Sequence, residues 1–280
     1  MKFSKRMMIW LTAVLALALL AGCRSKDDDE DEAAAEPEAG AVAKGPAFKP
    51  TGNEGNIVGV IAFNGAAPAA KKLSLDSDPV CAQKNPNAVG EEVVVADGKL
   101  QNVFVYVKGG LPRATFEAPT AEVTLDQSGC HYVPHVLGLQ TNQPLKVVNS
   151  DNTNHNVHPT PKDNREWNES QGPGAPPIVK KFTRAEVLIP VKCNQHAWMK
   201  AWVGVLDHPF YAVSGKDGAF TIKGLPPGEY DVEAWHEKLG AKTMKVKVAD
   251  KADAKADFTF DAATAYHAGS LKMQPALVVP

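Results

Sequence analysis

Charge of one sign, aromatic residues and helical periodicity are all scarce in this chain. Lys and Arg number 30 against 32 Asp and Glu in 280 residues, and no cluster of cations stands out. A nucleic-acid partner, which needs such a cluster to meet phosphate, is therefore excluded. Beyond residue 20 no stretch repeats apolar residues at helical spacing, which points away from helical folds. No Ser-His-Asp order, paired-carboxylate signature or phosphate-binding loop is present, and on that ground the chain is expected not to be an enzyme. Aromatics make up only 7%, whereas Gly (22) and Pro (21) are plentiful. That composition suits many short strands joined by turns, and the expected fold class is all-β.

The first residues read as a targeting signal. Lys2, Lys5 and Arg6 precede an apolar run over 7–20, too short for a comfortable membrane span. Leu20-Ala21-Gly22-Cys23 follows and resembles a bacterial lipobox. The resemblance implies cleavage of 1–22, acylation of Cys23 and an extracytoplasmic protein held on a membrane through lipid. Arg24, not Asp, follows the cysteine, which favours the outer membrane, on its periplasmic or cell-surface face. Residues 23–52 carry eight acids between Asp27 and Glu38 and no periodicity; they are expected to be a disordered acidic tether. Residues 262–280 are expected to be a tail.

Strand signals fill the middle of the chain. They are predicted over 56–63, 91–96, 103–107, 121–125, 144–149, 178–182, 186–190 and 201–206, with a hairpin turn at Asp97-Gly98. Both faces of 103–107 are apolar, so that strand should be central. Residues 160–177 read as a long loop. Beyond His208 the strands 219–223, 229–235 and 242–249 alternate with Gly- and Pro-rich turns.

Four cysteines are present, Cys23, Cys81, Cys130 and Cys193. With Cys23 lipidated, an odd number is left in an oxidising compartment. One solution is a Cys81–Cys130 disulfide with Cys193 as a metal thiolate; the other places Cys193 in a disulfide and removes the metal site. The neighbours of Cys193 favour the first. In Cys193-Asn194-Gln195-His196-Ala197-Trp198-Met199 a thiol, an imidazole and a thioether recur every three residues, so one tight loop can aim all three at one point. A type 1 copper ion takes one thiolate, two imidazoles and a weak axial thioether. A second imidazole must come from elsewhere, and Asn154-His155-Asn156-Val157-His158 offers two. A binuclear copper centre would need a second cysteine in the loop, and zinc is disfavoured by the thioether. His131 and His135 beside Cys130, with His158, His208 and His236, are expected to be surface or hydrogen-bonded histidines rather than a second metal site.

The spacing Cys193-x2-His196-x2-Met199 resembles the short ligand loop of amicyanin. The segment Val147-Val148-Asn149-Ser150-Asp151-x3-His155-Asn156-Val157-His158 resembles the plastocyanin/amicyanin strand that carries the first histidine ligand. Over roughly 120–208 the chain is thus similar to the cupredoxin family. The resemblance implies a Greek-key β-sandwich holding one type 1 copper through His155 rather than His158, together with Cys193, His196 and Met199. It gives Asn156 a supporting hydrogen bond to the cysteine loop and leaves His196 nearest the surface as the electron port. Asn154 stands where the family commonly has proline, and Val191 where it has an aromatic. Separately, Gly55-x-Ile57-x-Gly59, Asp217-Gly218-x-Phe220 and Pro226-Pro227-Gly228-x-Tyr230 resemble a carboxypeptidase-regulatory-like sandwich, which implies a second, smaller β-sandwich. The copper domain, 111–208, is then either inserted between 53–110 and 209–261 or arranged in tandem with 209–261.

The function expected from these readings is single-electron transfer to and from a transient redox protein partner. Two rivals are a copper storage or delivery protein and a sandwich that binds carbohydrate or a partner without redox activity.

Overall fold

The structure is a computed structural model that describes residues 45–262. The signal, Cys23, most of the acidic tether and residues 263–280 lie outside the described residues. Among those described, no helix is long and apolar enough to cross a membrane. The fold is all-β, built from four sheets that pair face to face around two main cores.

The first core lies between two sheets drawn from both ends of the described chain. Strand Gly55–Asn64 buries every second residue, the period of a strand with one face inward. It pairs antiparallel with Ala219–Leu225 and parallel with Asp253–Lys255 and Phe258–Asp261. The opposing sheet places Phe104–Gly109 between Tyr211–Val213 and Gly228–His236, with Gly240–Val248 outside. Ile57, Ile61, Val105, Val107, Phe220, Ile222 and Val232 fill the space between the sheets. The segments that carry Gly55-x-Ile57-x-Gly59 and Asp217-Gly218-x-Phe220 are direct neighbours, with Gly59 opposite Phe220.

The Asp97-Gly98 turn forms with φ of 49° and 69°, as a two-residue hairpin of this type requires. Its arms are only Val95–Ala96 and Lys99–Leu100, not 91–96 and 103–107. Asn102 adopts φ 64° and turns the chain out of the hairpin, so that Phe104–Gly109 joins the opposite sheet.

The second core is enclosed by residues 123–206. One sheet runs Glu169–Gln171, His155–Pro159, Glu186–Lys192, Lys200–Leu206 and Val136–Gln140; the other runs Ile178–Lys180, Leu145–Asn149, Val123–Ser128 and His131–Val133. Leu125, Leu139, Val147, Val157, Ile189, Val203 and Val205 meet inside. The segment read as a loop, 160–177, contributes the short strand Glu169–Gln171, whose Gln171 pairs with His155. The strands His131–Val133 and Val136–Gln140 and the helix Pro79–Lys84 were not expected. All three are too short to show a period.

Both faces of Phe104–Gly109 are buried because each serves a different core. Val105 and Val107 face the first. Phe104 and Tyr106 join Val136, Leu188 and Leu206 in the seam between the two sandwiches. Phe104 lies over Gly138 and Gly204, which are register partners on adjacent parallel strands. A Cβ at Gly204 would come within 2.4 Å of the Phe104 ring edge.

The stretch from Lys71 to Gly90 leaves the first sandwich and covers one end of the second. Its anchor is the Cys81–Cys130 disulfide, backed by Leu73, Leu75, Ala88 and Trp198. A cross-link spanning 49 residues stabilises such an attachment by about 2–4 kcal/mol.

Candidate metal centre

The centre forms where two strands end beneath this cover. His155 is the first residue of strand His155–Pro159. Cys193 follows strand Glu186–Lys192, and the chain returns in strand Lys200–Leu206. Two backbone bonds close the turn between them, Met199 N–H to His196 O (2.9 Å) and Cys193 N–H to Met199 O (3.3 Å). The loop thus brings Cys193 and His196 together, with Met199 closing the turn through its backbone.

Donor atoms of His155, Cys193 and His196 lie within 4.8 Å of one another, and all three residues are buried. Nδ1 of His155 is 2.9 Å from Nδ1 of His196, which is 3.8 Å from the Cys193 sulfur. Met199 is fully buried in the same core as Cys193. Cys193 belongs to no disulfide, so the alternative that would have removed the site does not occur. His158 lies apart, with its ring nitrogens on Asn194 and Glu166.

Each imidazole is held from behind by a carboxylate that the sequence did not single out. His155 Nε2 lies 2.9 Å from Asp151 Oδ2, and His196 Nε2 lies 3.0 Å from Asp78 Oδ2. A carboxylate accepts a hydrogen bond from the nitrogen it faces, so both rings carry N–H at Nε2 and present Nδ1 to the centre. Asp151 is fully buried and accepts three further bonds, from Lys84 Nζ (2.6 Å), Gly129 N–H (2.8 Å) and Cys130 N–H (2.7 Å). Asp78 also accepts from Thr153 and caps the helix Pro79–Lys84 through the N–H groups of Val80 and Cys81. Asp151 stands four residues before His155, whereas Asp78 is 118 residues from His196.

The electrostatics fit a cation at this point. Burial opposes a charge on His155, yet Asp151 and the Cys193 sulfur overcome it and raise its pKa to about 9. Burial and the neighbouring His155 charge hold His196 below the ordinary value. Burial raises Cys193, but His155 and the Asn156 backbone N–H outweigh it and bring the thiol below its usual range. The two Nδ1 atoms thus face each other beside a thiol whose ionisation is favoured, a place a metal ion can take. One soft sulfur and two imidazole nitrogens in a buried trigonal cluster form a donor set suited to copper.

Asn156 ties the two ligand-bearing segments together. Its backbone N–H points at the Cys193 sulfur (3.5 Å), its Oδ1 accepts from Asn194 N–H (2.5 Å) and its Nδ2 donates to Asn168. The surface position expected for His196 is not observed: it is 4% exposed. Asp78 covers its outer nitrogen and Trp198 packs on its ring at 4.9 Å. The cover Lys71–Gly90, part of the N-terminal segment 53–110, is the reason.

No protein-family model and no curated protein sequence matches the chain. Similar solved structures include a Cu-containing nitrite reductase from Thermus scotoductus SA-01, at 16% identity and TM-score 0.28 over 52% of this chain and 28% of that one. A methionine-to-alanine mutant of amicyanin in the Cu(I) form is similar at 18% identity and TM-score 0.27, covering 36% of this chain and 97% of that one. A purple cupredoxin from Nitrosopumilus maritimus gives 16% and 0.26, with coverage of 30% and 98%. The chain spans under a third of the reductase. One of these neighbours is an enzyme, and the expectation that the chain is not one is withdrawn on that finding. The assignment of the centre rests on its own geometry.

Proposed function

We propose that the chain binds one type 1 copper through His155, Cys193, His196 and Met199, in a cupredoxin-like module over 111–208, and exchanges single electrons with a redox protein. The observation that carries this reading is the convergence of one thiol and two imidazole Nδ1 atoms in a buried cluster. Copper held there by His155, Cys193, His196 and Met199 would supply a one-electron Cu(I)/Cu(II) couple, with Cys193 bound as thiolate.

The chain's own contribution is rigidity. Asp151 and Asp78 fix the orientation of both rings, Asn156 joins the histidine strand to the cysteine loop, and the disulfide holds the cover in place. Ligands that do not move between oxidation states keep the reorganisation accompanying electron transfer small. His196 is buried, so a partner would approach over the cover and the partly exposed Trp198 beside it. In this reading the protein is extracytoplasmic and anchored through Cys23, on the outer membrane, with the acidic tether between lipid and sandwich.

Adding Cu(II) to the full chain should produce an intense blue or green colour that Cys193→Ser abolishes. A colourless copper-treated protein, or a colour that survives Cys193→Ser, removes the proposal.

A further inference from the structure

The ligand loop has a second face. On the far side of Trp198 lies a cavity of about 440 Å³, lined in part by Glu91, His131, His135, Trp198 and Lys200. His135 is buried, with 7% of its surface exposed. Its Nε2 lies 2.5 Å from Glu237 Oε1, so that nitrogen carries a proton and Nδ1 is the atom left toward the cavity side. Nδ1 is buried and has no hydrogen-bond partner among the described residues.

What Nδ1 faces is another electron-rich atom. Glu91 Oε2 lies 3.8 Å away, too far for a hydrogen bond, and the same oxygen is 3.5 Å from His131 Nδ1. Burial opposes a charge on His135, yet Glu237 and Glu91 outweigh it and raise its pKa, so this point favours a cation between Nδ1 and the Glu91 carboxylate, either a proton on Nδ1 or a metal ion in its place. Two donors bound tetrahedrally to one zinc-like ion stand about 3.4 Å apart, from bond lengths of about 2.0–2.2 Å. The two separations here are close to that value.

The construction repeats that of the first centre. There, as here, a carboxylate holds Nε2 and leaves Nδ1 turned inward, the usual support of a metal-bound histidine. The three donors do not all lie within 4.8 Å of one another, as those of the Cys193 group do. His131 and Glu91 keep 16% and 38% side-chain exposure, and their side chains can close on an ion while His135 stays fixed.

We propose that Glu91, His131 and His135 form a second metal site, for a borderline divalent cation such as Zn²⁺ or Cu²⁺, with its remaining positions open to the cavity. Two imidazoles and one carboxylate suit such an ion and are poor ligands for Ca²⁺ or Mg²⁺. The site shares no donor with the Cys193 centre and stands whether or not that centre holds copper.

The test is zinc binding followed by calorimetry and by metal analysis after gel filtration. Full-length Cys193→Ser, in which the thiolate of the first centre is absent, is compared with the same chain also carrying Glu91→Gln, His131→Ala or His135→Ala. One zinc equivalent is expected in the first, with affinity lowered at least tenfold by each added change. His131 and Glu91 are partly exposed, so their variants keep the test decisive even if His135→Ala fails to fold. Zinc affinity unchanged in both Glu91→Gln and His131→Ala, or no zinc bound at all, overturns the proposal.

Discussion

Asp151 offers the sharpest test of how this centre is held. Its side chain is fully buried and receives four bonds, from Lys84 Nζ, Gly129 N–H, Cys130 N–H and His155 Nε2. In Asp151→Ala the ammonium of Lys84, whose side chain is 42% exposed, can turn to water at little cost. The two backbone N–H groups and the imidazole have no such escape. Leaving a buried donor unpaired costs about 1–3 kcal/mol, and breaking a buried charged pair about 3–5 kcal/mol. Because these groups share one carboxylate, their penalties overlap, and the net destabilisation of the metal-free protein should be about 3–5 kcal/mol. Lys84→Ala removes only the exposed partner and should cost no more than about 1 kcal/mol. Asp151→Asn keeps one acceptor oxygen and should fall between the two. Denaturant unfolding of the three variants reads these differences directly. Asp151→Ala within 1 kcal/mol of Lys84→Ala would mean that the carboxylate does not organise the site.

The seam between the sandwiches and the buried histidines give two further predictions. Gly204→Ala drives a methyl into the fully buried Phe104 ring, and overpacking of this kind costs about 1–3 kcal/mol; a variant as stable as the parent would show that the seam yields. Burial lowers the pKa of His236 to about 4, from an ordinary 6.5. Its contribution is therefore complete above pH 6.5 and is lost as pH falls toward 4. On linkage, metal-free protein should lose on the order of 2 kcal/mol more than His236→Gln between pH 6.5 and 5. Equal losses in the two proteins would refute the assignment.

Local chemistry decided what the sequence could disclose. A thiol and an imidazole three residues apart can share a point only if the backbone turns tightly, and the turn closed by Cys193 and Met199 does so. The apolar, β-branched run over 56–63 and the Asp97-Gly98 turn are likewise properties of neighbouring residues. The disulfide followed from counting thiols: once Cys193 was committed to metal, Cys81 and Cys130 were left for each other.

Tertiary structure decided everything that depends on partners distant in the chain. Asp78 reaches His196 only because the disulfide pins Lys71–Gly90 over the second sandwich, and no period or spacing encodes that reach. The burial of His196 follows from the same cover and reverses what its loop position implied. The doubly apolar strand Phe104–Gly109 announced that it was central, but its two faces could be assigned to two cores only once residues from 55 to 64 and from 219 to 261 had met in one sandwich. Side-chain type is written locally, whereas burial and long-range pairing come from the packing of the whole chain.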